Sequence, residues 1–325
     1  MANGVGYAGD VKNVLLNEIK SFTDEAQIFP DGSVYGLIKG VNNINVMLAC
    51  HIDEIGFVVT DIEDNGFLRF KQVGGCDDRI LPGQEVTILG RKEIRGYVGA
   101  KPPHLMKKEE MDKVMKTDKL FIDTGMKPEV LKKFVNIGDF ICFAGHYDRL
   151  QGDLRSVKAL DNRSSITCAI LVLRELSKLG SPVNLHFVAT NQEEFSGLGA
   201  RIHSYRLNLD YCVVIDVTHG EYPGLSEGEC FSLNKGPVIA RGATIPQKLF
   251  RLLTESAISN EIPYQIEPLP SYTGTDADTI AFNKEGIPTC VLGIPLRYMH
   301  TPVEVVCLKD IERTSRLVIE FIKKL

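Results

Sequence analysis

Two adjacent carboxylates, Glu193 and Glu194, follow directly on the apolar run Leu185 to Ala189. Neighbouring side chains in an extended or turning backbone diverge, so one carboxylate can face a metal while the other stays free to handle a proton. Water activation at a metal centre needs both roles, a ligand and a base. On its own the pair reads as a solvated, helix-opening feature, because acids favour a helix N-terminus. Other residues change that balance. His51 and Asp53 follow the apolar strand Val46 to Cys50, Asp216 closes Tyr211 to Ile215, His300 comes shortly after the strand near Val291, and Asp161 opens a helix. In an open α/β sheet, ligands gather beyond the carboxyl ends of the strands. Strands sharing one sheet would bring these side chains to one crevice.

Each residue also has a plain structural reading. A single His after a strand is commonly a hydrogen-bonded core residue, and Asp161 alone would be a helix N-cap. Asp216 could cap the loop Val217 to Gly220, and His300, before Thr301-Pro302, could serve a turn. Their joint placement is what points to chemistry, since a mixture of imidazoles and carboxylates suits hard or borderline divalent ions. The set is too large for one simple zinc site. It suits two metals ~3.5–4 Å apart that share a bridging carboxylate. Two further patterns carry little: Gly4 to Gly9 fits GxGxxG but no strand precedes it, and Gly224 to Gly228 fits GxSxG but no helix pattern follows it.

The elements that must position these residues alternate in type. An amphipathic helix near Asp10 to Phe22 precedes β runs at Gly36 to Lys39 and Val46 to Cys50. From about Thr60 to Val157 the texture changes to short apolar stretches between turns, as at Gly66 to Phe70, Glu85 to Leu89 and Asp139 to Phe143, which suggests a small β barrel or sandwich. Within it, the charge-rich Lys101 to Lys119 reads as an exposed loop or surface helix. The α/β rhythm then resumes with a helix at Ser164 to Leu179, strands at Val183 to Ala189 and Tyr211 to Ile215, and helices at Gln247 to Asn260 and Asp276 to Lys284. A strand at Pro288 to Leu292 and a closing helix at Leu308 to Lys324 complete an α/β domain split by a β-rich insert.

Composition fits a folded, soluble chain. Of 325 residues, 44% are hydrophobic and 24% charged, enough for a large core. The net charge of -5 and the absence of a dense basic block argue against a nucleic-acid partner. The 8 Cys form no CxxC pair and sit mostly in apolar runs, as reduced core residues do. No apolar run approaches the ~18 residues of a membrane helix, and the N-terminus lacks a signal-peptide pattern. These features predict a cytoplasmic protein without membrane contact.

Seven motifs in order carry a resemblance: His51-Ile52-Asp53-Glu54-Ile55-Gly56-Phe57, Leu81-Pro82-Gly83-Gln84, Lys101-Pro102-Pro103-His104, Ala159-Leu160-Asp161-Asn162-Arg163, Gln192-Glu193-Glu194, Gly274-Thr275-Asp276-Ala277 and Arg297-Tyr298-Met299-His300-Thr301-Pro302. Over nearly the whole chain the sequence resembles the tetrahedral dinuclear metallo-aminopeptidases, the family of glutamyl aminopeptidases, some of whose members carry cellulase M or endoglucanase names. The resemblance implies a mixed-sheet, zinc-exopeptidase-like catalytic domain over residues 1–59 and 157–325, with a PDZ-like β barrel for assembly inserted over residues 60–156. It implies that Asp161 bridges two divalent ions, with His51 and Asp216 completing one site and Glu194 and His300 the other. Zinc, cobalt and manganese all tolerate such ligands. Glu193 would be the general base. Asp53 would steady His51, since residues two apart in an extended segment face the same side. Peptides with a free N-terminus would be the substrates, and the expected assembly runs from dimers to a tetrahedral dodecamer.

The chain departs from the family pattern where Asn162 replaces a frequent Asp and where Phe195-Ser196-Gly197-Leu198 replaces a small, glycine-led run. Neither departure removes an expected ligand. Two rival readings are a glycoside hydrolase using Glu193 with Asp53, and a non-catalytic assembly protein on the same fold.

Overall fold

The structure, a computed structural model, describes Val5, residues 9–226 and residues 228–325, apart from the Glu110 side chain. Most of the Gly4 to Gly9 pattern and Glu227 of the Gly224 to Gly228 pattern lie outside the described residues. No helix follows the latter over residues 228–237.

Helix α1 (Val11–Ile19) buries Val11, Leu15 and Ile19, which recur one turn apart on a single face. Strands β1 (Glu25–Ile28), β2 (Val34–Ile38) and β3 (Asn45–His51) follow. The chain then leaves the sheet for β4 (Gly56–Ile62), β5 (Leu68–Val73), β6 (Glu85–Leu89), β7 (Glu93–Gly99), helix α2 (Lys108–Met111), β8 (Phe121–Asp123), helix α3 (Pro128–Leu131) and β9 (Phe140–Phe143). These strands close an antiparallel barrel in the order β4-β5-β8-β7-β6-β9. Its core is separate from that of the sheet, and Phe57 packs edge-to-face on Phe70 and Phe143 with ring centroids 5.2 Å apart in both pairs.

The return path runs through β10 (Asp148–Arg149), β11 (Leu154–Ser156), α4 (Leu160–Leu179), β12 (Asn184–Thr190), α5 (Leu198–Arg206) and β13 (Tyr211–His219). It continues through β14 (Val238–Gly242), α6 (Gln247–Ser259), β15 (Gln265–Leu269), α7 (Asp276–Ala281), β16 (Thr289–Arg297), β17 (Val305–Cys307) and α8 (Leu308–Ile322). The sheet order is β1-β2-β12-β3-β13-β16-β17-β11-β10, with β14 on β16 and β15 on β14. The central strands β12, β3, β13 and β16 are parallel, whereas β2, β14 and β17 pair antiparallel.

Both sheet faces are covered, which explains the near-continuous apolar runs of the central strands. In β3, Val46, Leu48 and Cys50 face the layer of α1, α4, α6 and α8, while Met47 and Ala49 face the layer of α5 and α7. Full burial of each such aliphatic side chain stabilises by roughly 1.5–3 kcal/mol.

The mixed α/β sheet with an inserted barrel is the architecture expected from the sequence, with several local differences. The strand expected to end at Ile215 runs on to His219, so Asp216 lies within β13 and not beyond it. His51 is the last residue of β3, and α4, expected from Ser164, opens with an irregular turn at Leu160 whose Asp161 and Asn162 are not helical, so its regular part begins next to the expected start. The helix expected to reach Lys284 stops at Ala281. Helix α5 and strands β14 and β15 were not legible, because their periodicity is weak and part of their surface stays exposed.

Candidate metal centre

The carboxyl ends of β3, β12 and β13 lie side by side, with Thr190 opposite His51 in the β12–β3 register. His51 has the parity of Met47 and Ala49, and Asp216 that of Cys212 and Val214, so both side chains leave the sheet on the same face. Asp161 arrives from the start of α4. The residues there are not helical: Ala159 has φ 57°, and Asp161 and Asn162 have ψ of 100° and 40°. The plain reading of Asp161 as an N-cap does not hold, since its carboxylate oxygens face His51 and His300 and no side-chain cap closes the start of α4. Asn162 anchors the segment by donating to the Ile215 carbonyl at 3.1 Å.

The two oxygens of Asp161 point to different partners. Oδ1 lies 2.9 Å from His51 Nε2, which is itself 3.7 Å from Asp216 Oδ1. Oδ2 lies 3.2 Å from His300 Nε2, which is 3.4 Å from Glu194 Oε2. Glu193 stands at the side of the first group, its Oε2 4.0 Å from His51 Nε2. His51, Asp161 and Glu194 each present a ligand atom within 4.8 Å of the others. All the side chains singled out in the sequence are thus gathered in one place.

Asp53 is the exception in detail. Its carboxylate is 3.6 Å from His51 Nδ1, whereas its own backbone carbonyl is 3.2 Å away and is the closer acceptor. The carboxylate instead accepts the backbone N–H groups of Glu193 at 3.1 Å and Glu194 at 3.3 Å. It therefore orients the Glu pair as well as the histidine.

Electrostatics set the protonation of the cluster. Burial, reinforced by Asp216, Asp276 and Glu194, pushes the Glu193 carboxyl up to about 9 against the pull of His51. Burial and then Asp161 raise Glu194 to about 7, and burial raises Asp216 well above the carboxylate range. Burial also acts to raise Asp161, but hydrogen bonds from His300 and His51 hold it well below the ordinary value. Burial would lower both histidines; Asp161 and Asp53 overcome this at His51, and Asp161 and Glu194 carry His300 up to about 9.

Among the described residues, no Lys or Arg forms an ion pair with any of these acids. Glu194 Oε1 is buried without a hydrogen-bond partner among the described residues. Divalent cations fit this donor set: they would supply the opposite charge, take the free lone pairs and draw the raised values down.

Sequence reasoning missed several supporting residues. Glu304, 2% exposed, accepts the backbone N–H of Asp161 at 3.1 Å and that of His300 at 2.8 Å. It follows His300 by four positions, and only the loop geometry turns its carboxylate back. Asp276 is buried behind the cluster and accepts from the Thr190 hydroxyl; burial pushes it up to about 6. Glu54 pairs with Lys158 and, at 3.4 Å, with Arg163, joining the exit from β3 to the entry of α4. The barrel also reaches the site, because a Cβ on Gly74 (φ 78°) would lie 3.4 Å from Glu194 Cβ and one on Gly75 3.7 Å from His300 Nδ1.

A cavity of about 420 Å³ opens beside the cluster. A buried acid-and-imidazole site at the carboxyl edge of a mixed α/β sheet is the class of centre that hydrolases use to activate water on divalent ions. The chain belongs to the M42 glutamyl aminopeptidase family, whose model matches residues 32–317. It is an aminopeptidase, a peptide hydrolase of a metallopeptidase family. A lysyl aminopeptidase of Pyrococcus furiosus is 34% identical, the match covering 94% of this chain and 89% of that one. Among solved structures, a TET aminopeptidase from a Thaumarchaeota archaeon superposes with a TM-score of 0.94 at 30% identity, covering 100% of this chain and 93% of the other. The TET1 peptidase of Pyrococcus horikoshii, which can assemble into a tetrahedron or a large octahedral shell, gives 0.85 at 29% identity, covering 98% and 94%.

Proposed function

We propose that this aminopeptidase works with two divalent ions, held by His51 and Asp216 on one side, Glu194 and His300 on the other, and Asp161 between them. The observation that carries the reading is the split of Asp161, whose Oδ1 and Oδ2 face separate groups of ligand atoms. When bound, such ions acidify a water and stabilise the developing oxyanion. Zinc or cobalt leads, with manganese also suited to the ligands.

Glu193 is the base in this reading. It accepts a proton from the water that attacks the first peptide carbonyl, then returns it to the leaving amine. Asp53 holds the peptide units of the Glu pair so that Glu193 and Glu194 diverge into their separate tasks. His51 and His300, fixed by Asp161, keep their Nε2 atoms turned inward. The substrate is a peptide with a free N-terminus. A glycoside hydrolase using Glu193 and Asp53 is disfavoured because Asp53 is 0% exposed and its carboxylate is engaged by backbone amides.

Residues 60–156 form the assembly domain in this reading and residues 1–59 with 157–325 the catalytic one. The support is the assembly of the Pyrococcus horikoshii relative, and the expected states here run from a dimer to a tetrahedral dodecamer. A cytoplasmic setting fits the free state of the cysteines, and no helix among the described residues is long and apolar enough to cross a membrane.

One assay tests the function: amino-acid amides and short peptides, free and N-acetylated, with metal-depleted and metal-restored protein. Cleavage of free substrates only, lost on depletion and regained with zinc or cobalt, is the expected result. Cleavage of blocked peptides would refute the exopeptidase reading, and metal content near zero would revive a non-catalytic one.

A further inference from the structure

The cavity beside the metal cluster has a second acidic feature that the chemistry above does not use. Glu267 of β15 lines it, as does Leu269, two residues on and therefore on the same side of the strand. Glu267 is partly buried, and its Oε1 accepts the Thr218 hydroxyl at 3.1 Å. Thr218 is itself held in place, 7% exposed and packed against Gly293, where an added Cβ would come within 2.8 Å of its methyl. The other oxygen, Oε2, has no hydrogen bond or ion pair among the described residues. The imidazole nearest in its influence on Glu267 is that of His219, an exposed side chain at the end of β13. Burial raises the Glu267 carboxyl above its ordinary value, against opposing effects of Thr218 and His219.

A carboxylate oriented by a buried hydroxyl, facing a cavity and lacking a Lys or Arg partner, is costly to desolvate unless the ligand brings the cation. Leu269, Val291 and Met299 give the otherwise polar wall an apolar part that suits a long aliphatic stem.

We propose that Glu267 is a specificity-determining residue that selects substrates whose first residue is basic, pairing Oε2 with a lysine ammonium or arginine guanidinium. The stem of that residue lies along Leu269, and Thr218 keeps the carboxylate turned toward the incoming charge. This inference rests on the aminopeptidase reading. It adds the class of residue removed.

The test is the kcat/KM of metal-restored protein on p-nitroanilides of Lys, Arg, Leu, Glu and norleucine, the last being a neutral mimic of the lysine stem. Wild type should favour Lys and Arg over the rest. Glu267→Gln should lower the Lys-to-norleucine ratio by about 10- to 100-fold, the usual scale for removing one member of a desolvated charge pair. Glu267→Lys should raise the Glu-to-Lys ratio, which keeps the idea testable if the amide variant folds poorly.

A wild-type preference for Leu or Glu overturns the inference alone, as does an unchanged ratio in Glu267→Gln. A uniform loss on all substrates would place Glu267 at the α-amine common to them, and also overturns it. No cleavage of any member would overturn the aminopeptidase reading and this inference with it.

Discussion

Glu193 and Glu194 are neighbours whose carboxylates point to different histidines, and the separation is made by the backbone. Their amides are pinned by one buried carboxylate, Asp53, while Gln192 before them takes φ 67°, a left-handed conformation uncommon for a non-glycine residue. The turn directs Glu194 Oε2 to His300 and Glu193 Oε2 to the side of His51. Glu193→Gln keeps shape and removes the proton acceptor. Its expected outcome is unchanged metal content by elemental analysis with kcat lowered by about 10²-fold or more. Nearly normal turnover would rule out the assigned base.

At the scale of elements, the site depends on ties between segments far apart in sequence. Glu304, just before β17, accepts from the amides of both Asp161 and His300, and so sets the start of α4 against the loop after β16. Glu304→Ala is expected to weaken metal binding by about 10- to 100-fold, as loss of a residue supporting metal ligands does. Metal titration followed by calorimetry measures this directly, and an unchanged Kd would remove Glu304 from that role. A second tie concerns Asp31, before β2, which accepts from the Ser33 hydroxyl and lies 3.4 Å from His203 of α5. Burial acts to raise its pKa, but His203 and Ser33 bring it below the ordinary 3.8. A carboxyl depressed in the folded state stabilises fully above its unfolded value and loses that contribution as pH falls through the folded one. Asp31→Asn should therefore lower Tm at pH 7, and its difference from wild type should shrink as the pH drops below about 4. An equal Tm difference at pH 7 and pH 3 would contradict the assignment.

At the scale of the whole molecule, barrel and sheet have separate hydrophobic cores, yet Gly74 and Gly75 of the barrel lie against Glu194 and His300. If the proposed ions bind only the folded chain, they add to its stability by mass action. Free metal at about 100 times Kd should contribute roughly 2.7 kcal/mol per site. A chelator should lower Tm measured by calorimetry, and zinc or cobalt should restore it. No change in Tm on chelation would argue that the acids are satisfied without cations.

The sequence by itself determined the alternation of elements, the change of texture that marks the barrel, and the identities of His51, Asp161, Glu193, Glu194, Asp216 and His300. Those signals are local: apolar periodicity and a polar residue where an apolar run ends. Tertiary structure alone decided which oxygen of Asp161 faces which histidine, that the Asp53 carboxylate serves the Glu193 and Glu194 amides, and that Glu304 and Asp276 lie behind the cluster. It also decided that Glu267, on a strand with weak periodicity, enters the same cavity. These relations join residues 100 or more positions apart in cases such as His51 with Asp161, and direction in space is set by sheet order and loop geometry, which a one-dimensional pattern does not encode.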